Sequence, residues 1–164
     1  MRLILVRHGQ ANPVDIDPEK GLSEAGRAEI ARLLAIIGPL QLSVDEIWHS
    51  DKARATQTAQ LLARELKAKN GLRLKRNLGP NDDVALLGDD IMTESKDLMI
   101  VGHLPFLSNL LSYLLSGDQH KCALAFPTAG MAHLDYDGRR WCLSWFINPE
   151  FGSAEFGAQF QSYH

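Results

Sequence analysis

The sequence is short of cysteine and of long apolar runs. Only Cys122 and Cys142 occur among its 164 residues, which is too few for a disulfide framework or a thiolate zinc site. The apolar run Leu3–Val6 is shorter than the core of a signal peptide, about 7–15 residues, and no later run reaches the roughly 18 residues that span a bilayer. We therefore expect a cytoplasmic protein with reduced cysteines that does not bind membranes.

Basic residues are not in excess either. The 17 Lys and Arg residues are outnumbered by 20 Asp and Glu residues, and the net charge is −3. A chain-wide basic surface for nucleic acid is therefore excluded, and any anion site must be local. With 45% hydrophobic and 23% charged residues, the composition is typical of a soluble globular protein. The length predicts a single domain over residues 1–164, which we expect to be a monomer.

Strand and helix signals alternate in the first half of the chain. The segment Leu3–Val6 predicts a parallel strand buried on both faces. Ser23 is a helix N-cap, and Gly38-Pro39 ends that helix. Glu46–His49 predicts a second strand, followed by a long helix from about Asp51 to Lys69. This order is typical of parallel strands joined by crossover helices.

The alternation continues in the second half. Arg73–Lys75 is a weak strand candidate, and two short helices are predicted, one over Val84–Leu87 and one near Ile91. Asp97–Val101 predicts another buried strand. Pro105 then opens a helix that continues to Leu115.

The last predicted elements form a β-hairpin. Met131–Tyr136 and Trp141–Ile147 flank Asp137-Gly138, a strong hairpin turn signal. A hairpin adds antiparallel strands to the side of an otherwise parallel sheet. The predicted fold class is therefore α/β, a three-layer sandwich whose mostly parallel sheet has an antiparallel edge.

Three predicted junctions between a strand and a helix carry groups that bind phosphate. Arg7 and His8 follow the first strand, Arg54 lies in the opening turn of the long helix, and His103 follows the strand near Val101. Ligands of open α/β sheets bind at this edge, beside helix N-termini. Each residue alone also fits a surface or core role, but together they favour a site for a compact dianion and hence phosphoryl chemistry.

Five short segments occur in a recognisable order over nearly the whole chain. They are similar to the family motifs RHG, LTxxG, SPxxRAxQT, LxP and HxP, and lie respectively at Val6–Gly9, Leu22–Gly26, Ser50–Thr58, Leu78–Pro80 and Val101–Pro105. The set resembles the histidine phosphatase superfamily, whose fold is phosphoglycerate-mutase-like, and in particular its small SixA-type phosphohistidine phosphatases.

The resemblance implies a role for each of the four residues. His8 is the expected nucleophile, which takes the phosphoryl group as a covalent phosphohistidine that water then hydrolyses. Its other ring nitrogen is expected to bind a nearby backbone carbonyl. Arg7, Arg54 and His103 are expected to bind the phosphoryl oxygens together with His8. Since these groups supply the positive charge, we expect no metal and no cofactor.

The loop after Pro80 departs from the pattern of many relatives, which carry an acidic proton donor there. This chain has Asn81, Asp82 and Asp83. Asp82 and Asp83 are candidate proton donors, and the alternative is that they serve as a turn or a helix cap. Because imidazole leaves more readily than an alkoxide, the absence of a clear acid favours a phosphohistidine substrate.

We therefore expect a metal-independent phosphatase that acts on phosphohistidine in a phosphotransfer-type protein, and hence in signal transduction. The alternatives are a phosphomonoesterase acting on a small phosphorylated substrate and, in another class, a non-catalytic phosphate-binding module. Ser50 and Thr128 are candidates for an additional hydroxyl donor to the phosphate.

Overall fold

The computed structural model describes residues 1–66 and 68–151. Its strands and helices are β1 (Arg2–Arg7), α1 (Glu24–Ile37), β2 (Glu46–His49), α2 (Ala53–Leu66), β3 (Leu72–Leu74), α3 (Val84–Thr93), β4 (Leu98–Gly102), α4 (Phe106–Ser116), β5 (Met131–Tyr136) and β6 (Trp141–Ile147). Lys67, in the predicted long helix, and residues 152–164 of the predicted domain lie outside the described residues. None of the described helices is long and apolar enough to cross a membrane.

The strands form one mixed sheet in the order β3-β2-β4-β1-β5-β6. The pairs β2–β3, β2–β4 and β1–β4 are parallel, whereas β1–β5 and β5–β6 are antiparallel. Arg7 at the end of β1 is in register with Gly102, and His49 at the end of β2 with Val101. The sheet confirms the predicted antiparallel edge and brings the carboxyl ends of three parallel strands together.

Helices cover both faces of the sheet. Leu3 and Leu5 pack in one core with residues of α3 and α4, while Ile4 and Val6 pack in a second core with residues of α1 and α2. Successive side chains of a strand point to opposite faces, so an unbroken apolar run is what a sheet covered on both sides requires. The three-layer arrangement is confirmed.

The region after Pro80 differs from the prediction. It forms one helix, α3, instead of two short helices, and the Asp83 side chain caps it by accepting from the Ala85 N–H. Gly88 does not interrupt α3, although glycine lowers helix propensity. A Cβ at Gly88 would lie 2.7 Å from Cε1 of Tyr113 in α4, so the glycine permits the close approach of these two helices. The expectation of two helices was wrong because packing against α4 outweighs propensity.

The start of α1 packs tightly against His8–Gln10, which we call the β1 loop. The backbone N–H and the hydroxyl of Ser23 donate to the Gln10 carbonyl at 2.9 and 3.2 Å, and the hydroxyl also caps α1 by accepting from the Gly26 N–H. A Cβ at Gly26 would lie 2.1 Å from the Gln10 oxygen. The contact therefore has no room for a side chain.

Gly26→Ala is expected to destabilise the protein by about 1–3 kcal/mol, because the added methyl group forces α1 away from the β1 loop. The better helix propensity of alanine offsets only part of this cost. Chemical denaturation measures the change. Gly38→Ala is the matched control, since a Cβ at Gly38 meets nothing within 4 Å and its φ is −50°. That control is expected to be neutral or stabilising by up to about 1 kcal/mol. If both substitutions change the free energy of unfolding equally, the contact of Gly26 with the β1 loop does not explain the loss of stability.

Candidate active site

The end of β1 fixes Arg7 and His8 through backbone hydrogen bonds. The Arg7 N–H donates to the Gly130 carbonyl at 3.0 Å, and the His8 N–H donates to the Gly102 carbonyl at 3.1 Å. In addition, Nη1 of Arg7 donates to the Phe126 carbonyl at 2.7 Å. Both side chains are half-buried. The two residues are thus held between β4 and the segment Phe126–Gly130.

The hydrogen bonds of the His8 ring determine which nitrogen can react. Nδ1 lies 2.7 Å from the Gly9 carbonyl, and because a carbonyl only accepts, Nδ1 must carry the proton. Nε2 is then unprotonated, and its lone pair accepts a hydrogen bond from Nε of Arg54 at 3.2 Å. The expected backbone carbonyl is therefore that of Gly9, and Nε2 is the nitrogen able to act as a nucleophile.

The surroundings of His8 keep its imidazole neutral. Burial lowers the pKa of His8 to about 4, and the charges of Arg54 and Arg7 act in the same direction, while the hydrogen bond to Gly9 opposes them. An imidazole with this pKa is unprotonated at neutral pH. The lone pair on Nε2 is therefore available without a general base.

Arg54 reaches His8 from the first turn of α2. One turn further along the helix, the Thr58 hydroxyl donates to the Arg54 carbonyl at 2.7 Å and accepts from the Gly9 N–H at 3.1 Å. Thr58 is fully buried. It therefore ties the helix that carries Arg54 to the loop that carries His8.

His103 lies at the end of β4 and faces His8. The two ring centroids are 4.9 Å apart, and the side chain of His103 is buried. Burial lowers its pKa to about 3, and the nearby His8, Arg54 and Lys52 contribute to the shift. Nε2 lies 2.9 Å from the Ser50 hydroxyl, whereas Nδ1 has no hydrogen-bond partner among the described residues. The structure thus brings all four predicted residues together at one edge of the sheet.

The two hydroxyls expected as extra donors have other partners. Ser50 contacts His103, and the Thr128 hydroxyl donates to Oε1 of Glu29 at 2.7 Å. Glu29 is a part of the site that the sequence analysis missed. A signal was present, since Glu29 lies three residues after Gly26 and four before Leu33 on the face of α1 that packs against the protein, where a carboxylate is unusual.

Asp82 and Asp83 occupy a turn and a helix cap, which is the alternative left open by the sequence. The Asp82 carboxylate accepts from the Gly79 N–H at 2.6 Å, and the Asp83 carboxylate accepts from the Ala85 N–H at 2.9 Å. Both aspartates are exposed. Each carboxylate therefore has a local structural role.

A groove adjoins the four residues. It encloses about 490 Å³, and Ser50, Lys52, Lys75, Arg76 and Asp82 are among the residues that line it. Ser50 also contacts His103, so the groove extends to the His103 side of the site. It has room for the part of a ligand that extends beyond a phosphate group.

The charge at this edge comes from two guanidinium groups. Burial lowers the pKa of Arg7 and of Arg54, and the negative charge of Glu29 acts against this shift at Arg7. Guanidinium groups nevertheless stay charged at neutral pH. Within residues 1–66 and 68–151, no three His, Cys, Asp or Glu side chains are grouped so that they could hold a metal ion.

Comparisons with known proteins identify the family. Residues 3–78 match the model of the histidine phosphatase superfamily, branch 1. A structure from Agrobacterium tumefaciens, described as a proposed phosphohistidine phosphatase SixA, is 32% identical, with a TM-score of 0.73 over 90% of this chain and 97% of that chain. The chain belongs to the histidine phosphatase superfamily.

Other histidine phosphatases share the fold at lower identity. The protein histidine phosphatase SixA complexed with tungstate has a TM-score of 0.79 at 23% identity, over 91% of this chain and 97% of that chain. A phosphoserine phosphatase mutant from Entamoeba histolytica in complex with phosphoserine has a TM-score of 0.67 at 16% identity, over 91% and 98%. No curated protein matches the sequence. These structures confirm the phosphoglycerate-mutase-like fold.

The imidazole of His8 is expected to titrate near pH 4 in the ligand-free protein, because burial and two arginines disfavour its charged form. Nuclear magnetic resonance of labelled histidine rings measures this pKa, and the assignment comes from His8→Asn. The control is the protein unfolded in guanidinium chloride, where His8 is expected to titrate near the unperturbed value of about 6.5.

The lowered pKa of His8 also makes the stability of the protein depend on pH. Between these two pKa values, the unfolded chain binds a proton at His8 that the folded protein does not bind. The free energy of unfolding must therefore fall as the pH drops through this window. If His8 of the folded protein titrates near 6.5, burial and the two arginines do not lower its pKa, and the description of its surroundings is wrong.

Proposed function

We propose that this protein is a metal-independent phosphatase that hydrolyses phosphohistidine on a partner protein. The observation that carries the proposal is the state of His8, whose Nδ1 is bound to the Gly9 carbonyl and whose Nε2 faces Arg54. A neutral imidazole with one nitrogen fixed and the other unprotonated is suited to nucleophilic attack.

In the first step, Nε2 of His8 attacks phosphorus in line with the bond to the substrate imidazole. A P–N bond to His8 forms while the P–N bond to the substrate breaks, and the electron pair of the broken bond stays on the leaving nitrogen. The imidazole departs neutral, because its other ring nitrogen already carries a proton. Arg7, Arg54 and His103 bind the peripheral oxygens, so positive and donor groups face the charge of a loose transition state.

In the second step, water attacks the phosphorus of phosphorylated His8 and releases inorganic phosphate. The electron pair of the P–N bond returns to Nε2, and Nδ1 keeps its proton. Phosphorylation makes the imidazole ring positive, and the Gly9 carbonyl 2.7 Å from Nδ1 stabilises that charge. The same hydrogen bond therefore serves both steps.

Two observations favour phosphohistidine as the substrate. Asp82 and Asp83 are engaged with backbone N–H groups, and an imidazole leaving group needs little help from a general acid. In addition, the 32% identical structure from Agrobacterium tumefaciens is described as a proposed phosphohistidine phosphatase. We therefore propose a phosphotransfer-type protein as the partner.

The second candidate is a phosphatase of small phosphate monoesters. It is favoured by one observation, which is that Asp82 and Ser50 line the same groove, so Asp82 would face the leaving group of an ester that extends into it. A non-catalytic phosphate-binding module is disfavoured, because phosphate binding alone does not require an imidazole held with one free lone pair.

Brief exposure to a phosphohistidine protein with labelled phosphate, followed by alkaline denaturation, is expected to leave the label on His8. Mass spectrometry locates it. His8→Ala removes the nucleophile and is expected to slow turnover at least about a thousandfold. His120→Ala is the matched control, since His120 is exposed, and it is expected to behave as wild type. All reactions contain EDTA. Wild-type activity in His8→Ala, or dependence on added metal, would sink the mechanism.

Asp82→Asn and Asp83→Asn are expected to leave phosphohistidine hydrolysis almost unchanged, because the leaving imidazole needs no proton from an acid. Asparagine also accepts from backbone N–H groups, so both local structures are retained. The measurement is kcat/KM for a phosphohistidine protein and for a sugar phosphate in wild type and both variants.

The phosphohistidine protein is expected to be preferred by at least about a hundredfold, roughly 2.7 kcal/mol of transition-state stabilisation. A preference for the sugar phosphate that is lost in Asp82→Asn or Asp83→Asn would instead establish the second candidate.

A further inference from the structure

The carboxylate of Glu29 is buried next to the β1 loop. Only 6% of the residue is exposed, and a carboxylate is rarely buried to this extent unless its oxygens have partners. Oε2 accepts from the Gln10 N–H at 2.8 Å, and Oε1 accepts from the Thr128 hydroxyl at 2.7 Å. Within the described part of the chain, no Lys or Arg lies within 4.0 Å of it as an ion-pair partner.

Both partners of Glu29 belong to segments that hold the phosphate site. Gln10 is the end of the β1 loop that starts with His8. Thr128 belongs to Phe126–Gly130, whose backbone accepts two hydrogen bonds from Arg7 and donates one to the His8 carbonyl at 3.2 Å. One side chain of α1 therefore links the support of His8 to the support of Arg7.

The charge of Glu29 acts on the same site. Glu29 accepts from Thr128 in the segment whose Phe126 carbonyl accepts from Arg7. Burial lowers the pKa of Arg7, and the negative charge of Glu29 opposes that shift, so the carboxylate stabilises the guanidinium charge. A phosphate dianion bound to Arg7 would experience the same carboxylate as a repulsion, and in a half-buried site solvent screens that repulsion only in part.

We infer that Glu29 is a positioning residue with two separable effects. Its hydrogen bonds hold the β1 loop and Phe126–Gly130 in the geometry needed for catalysis, and its negative charge weakens the binding of the phosphate product so that phosphate is released. This inference rests on the proposed function, because it assumes that the site binds and releases phosphate.

Three substitutions separate the two effects. In Glu29→Gln, the amide oxygen can accept from the Gln10 N–H and the amide nitrogen can donate to the Thr128 hydroxyl, so both hydrogen bonds remain while the charge is lost. Glu29→Ala removes the charge and both hydrogen bonds. Thr128→Val removes one hydrogen bond and keeps the charge.

The binding experiment is calorimetric titration with inorganic phosphate and with tungstate. Glu29→Gln is expected to bind each anion about tenfold more tightly than wild type, because a repulsive charge is gone. Thr128→Val is expected to show no gain in affinity. Glu65→Gln is the matched control, since it removes an exposed carboxylate from α2, and it is expected to bind as wild type does.

The kinetic experiment measures turnover of a phosphohistidine protein at saturating substrate, before product accumulates. Glu29→Ala and Thr128→Val are expected to lower kcat at least about tenfold. In Glu29→Gln, the chemical step measured in a single turnover is expected to stay within about threefold of wild type, while inhibition by added phosphate becomes about tenfold stronger. Thermal denaturation of each variant records whether it is folded.

If Glu29→Gln and wild type bind the anions equally well, the proposal that the charge of Glu29 weakens phosphate binding is wrong. Wild-type kcat in folded Thr128→Val and Glu29→Ala would overturn the positioning role. If Glu29→Ala does not fold, Thr128→Val and Glu29→Gln still decide the question. Failure of the proposed function has a different signature, since wild-type protein would then neither turn over phosphohistidine nor form phosphorylated His8.

Discussion

The site depends on one hydrogen bond, that between Nδ1 of His8 and the Gly9 carbonyl. A buried neutral imidazole can carry its proton on either nitrogen, and only the tautomer with the proton on Nδ1 leaves a lone pair on Nε2. The carbonyl selects that tautomer. Arg54 and His103 are useful where they are because Nε2 is the free nitrogen, and because the ring cannot rotate without losing its partner.

The cationic environment has two consequences that reinforce each other. Arg7 and Arg54 attract a dianion, and they also help burial to lower the pKa of His8 to about 4. A single arrangement thus binds a phosphoryl group and keeps the attacking imidazole neutral. The carboxylate of Glu29 counteracts part of this positive charge from within the protein, so the balance of charge is determined by the fold.

The elements and the four residues at the strand ends could be predicted because their signals are local. Apolar runs mark β1 and β4, Asp137-Gly138 marks the hairpin, and the carboxyl ends of parallel strands must meet at one edge. The continuity of α3 could not be predicted, because it depends on how Gly88 packs against Tyr113. The role of Glu29 was missed for a similar reason, since its partner Thr128 is 99 residues away in the sequence.

The contacts that hold the site residues also indicate which leaving group the site can accept. Arg7, His8 and Arg54 are held by backbone and side-chain contacts from several elements, so they need little reorganisation when charge develops on the phosphoryl group. Asp82 and Asp83 are held differently, since each carboxylate is engaged with the backbone of its own turn or helix start. An acid must reach the leaving atom to protonate it, and these hydrogen bonds hold each carboxylate against its own turn or helix start. The site is therefore best suited to a leaving group that can depart without a proton from the enzyme, and imidazole is such a group.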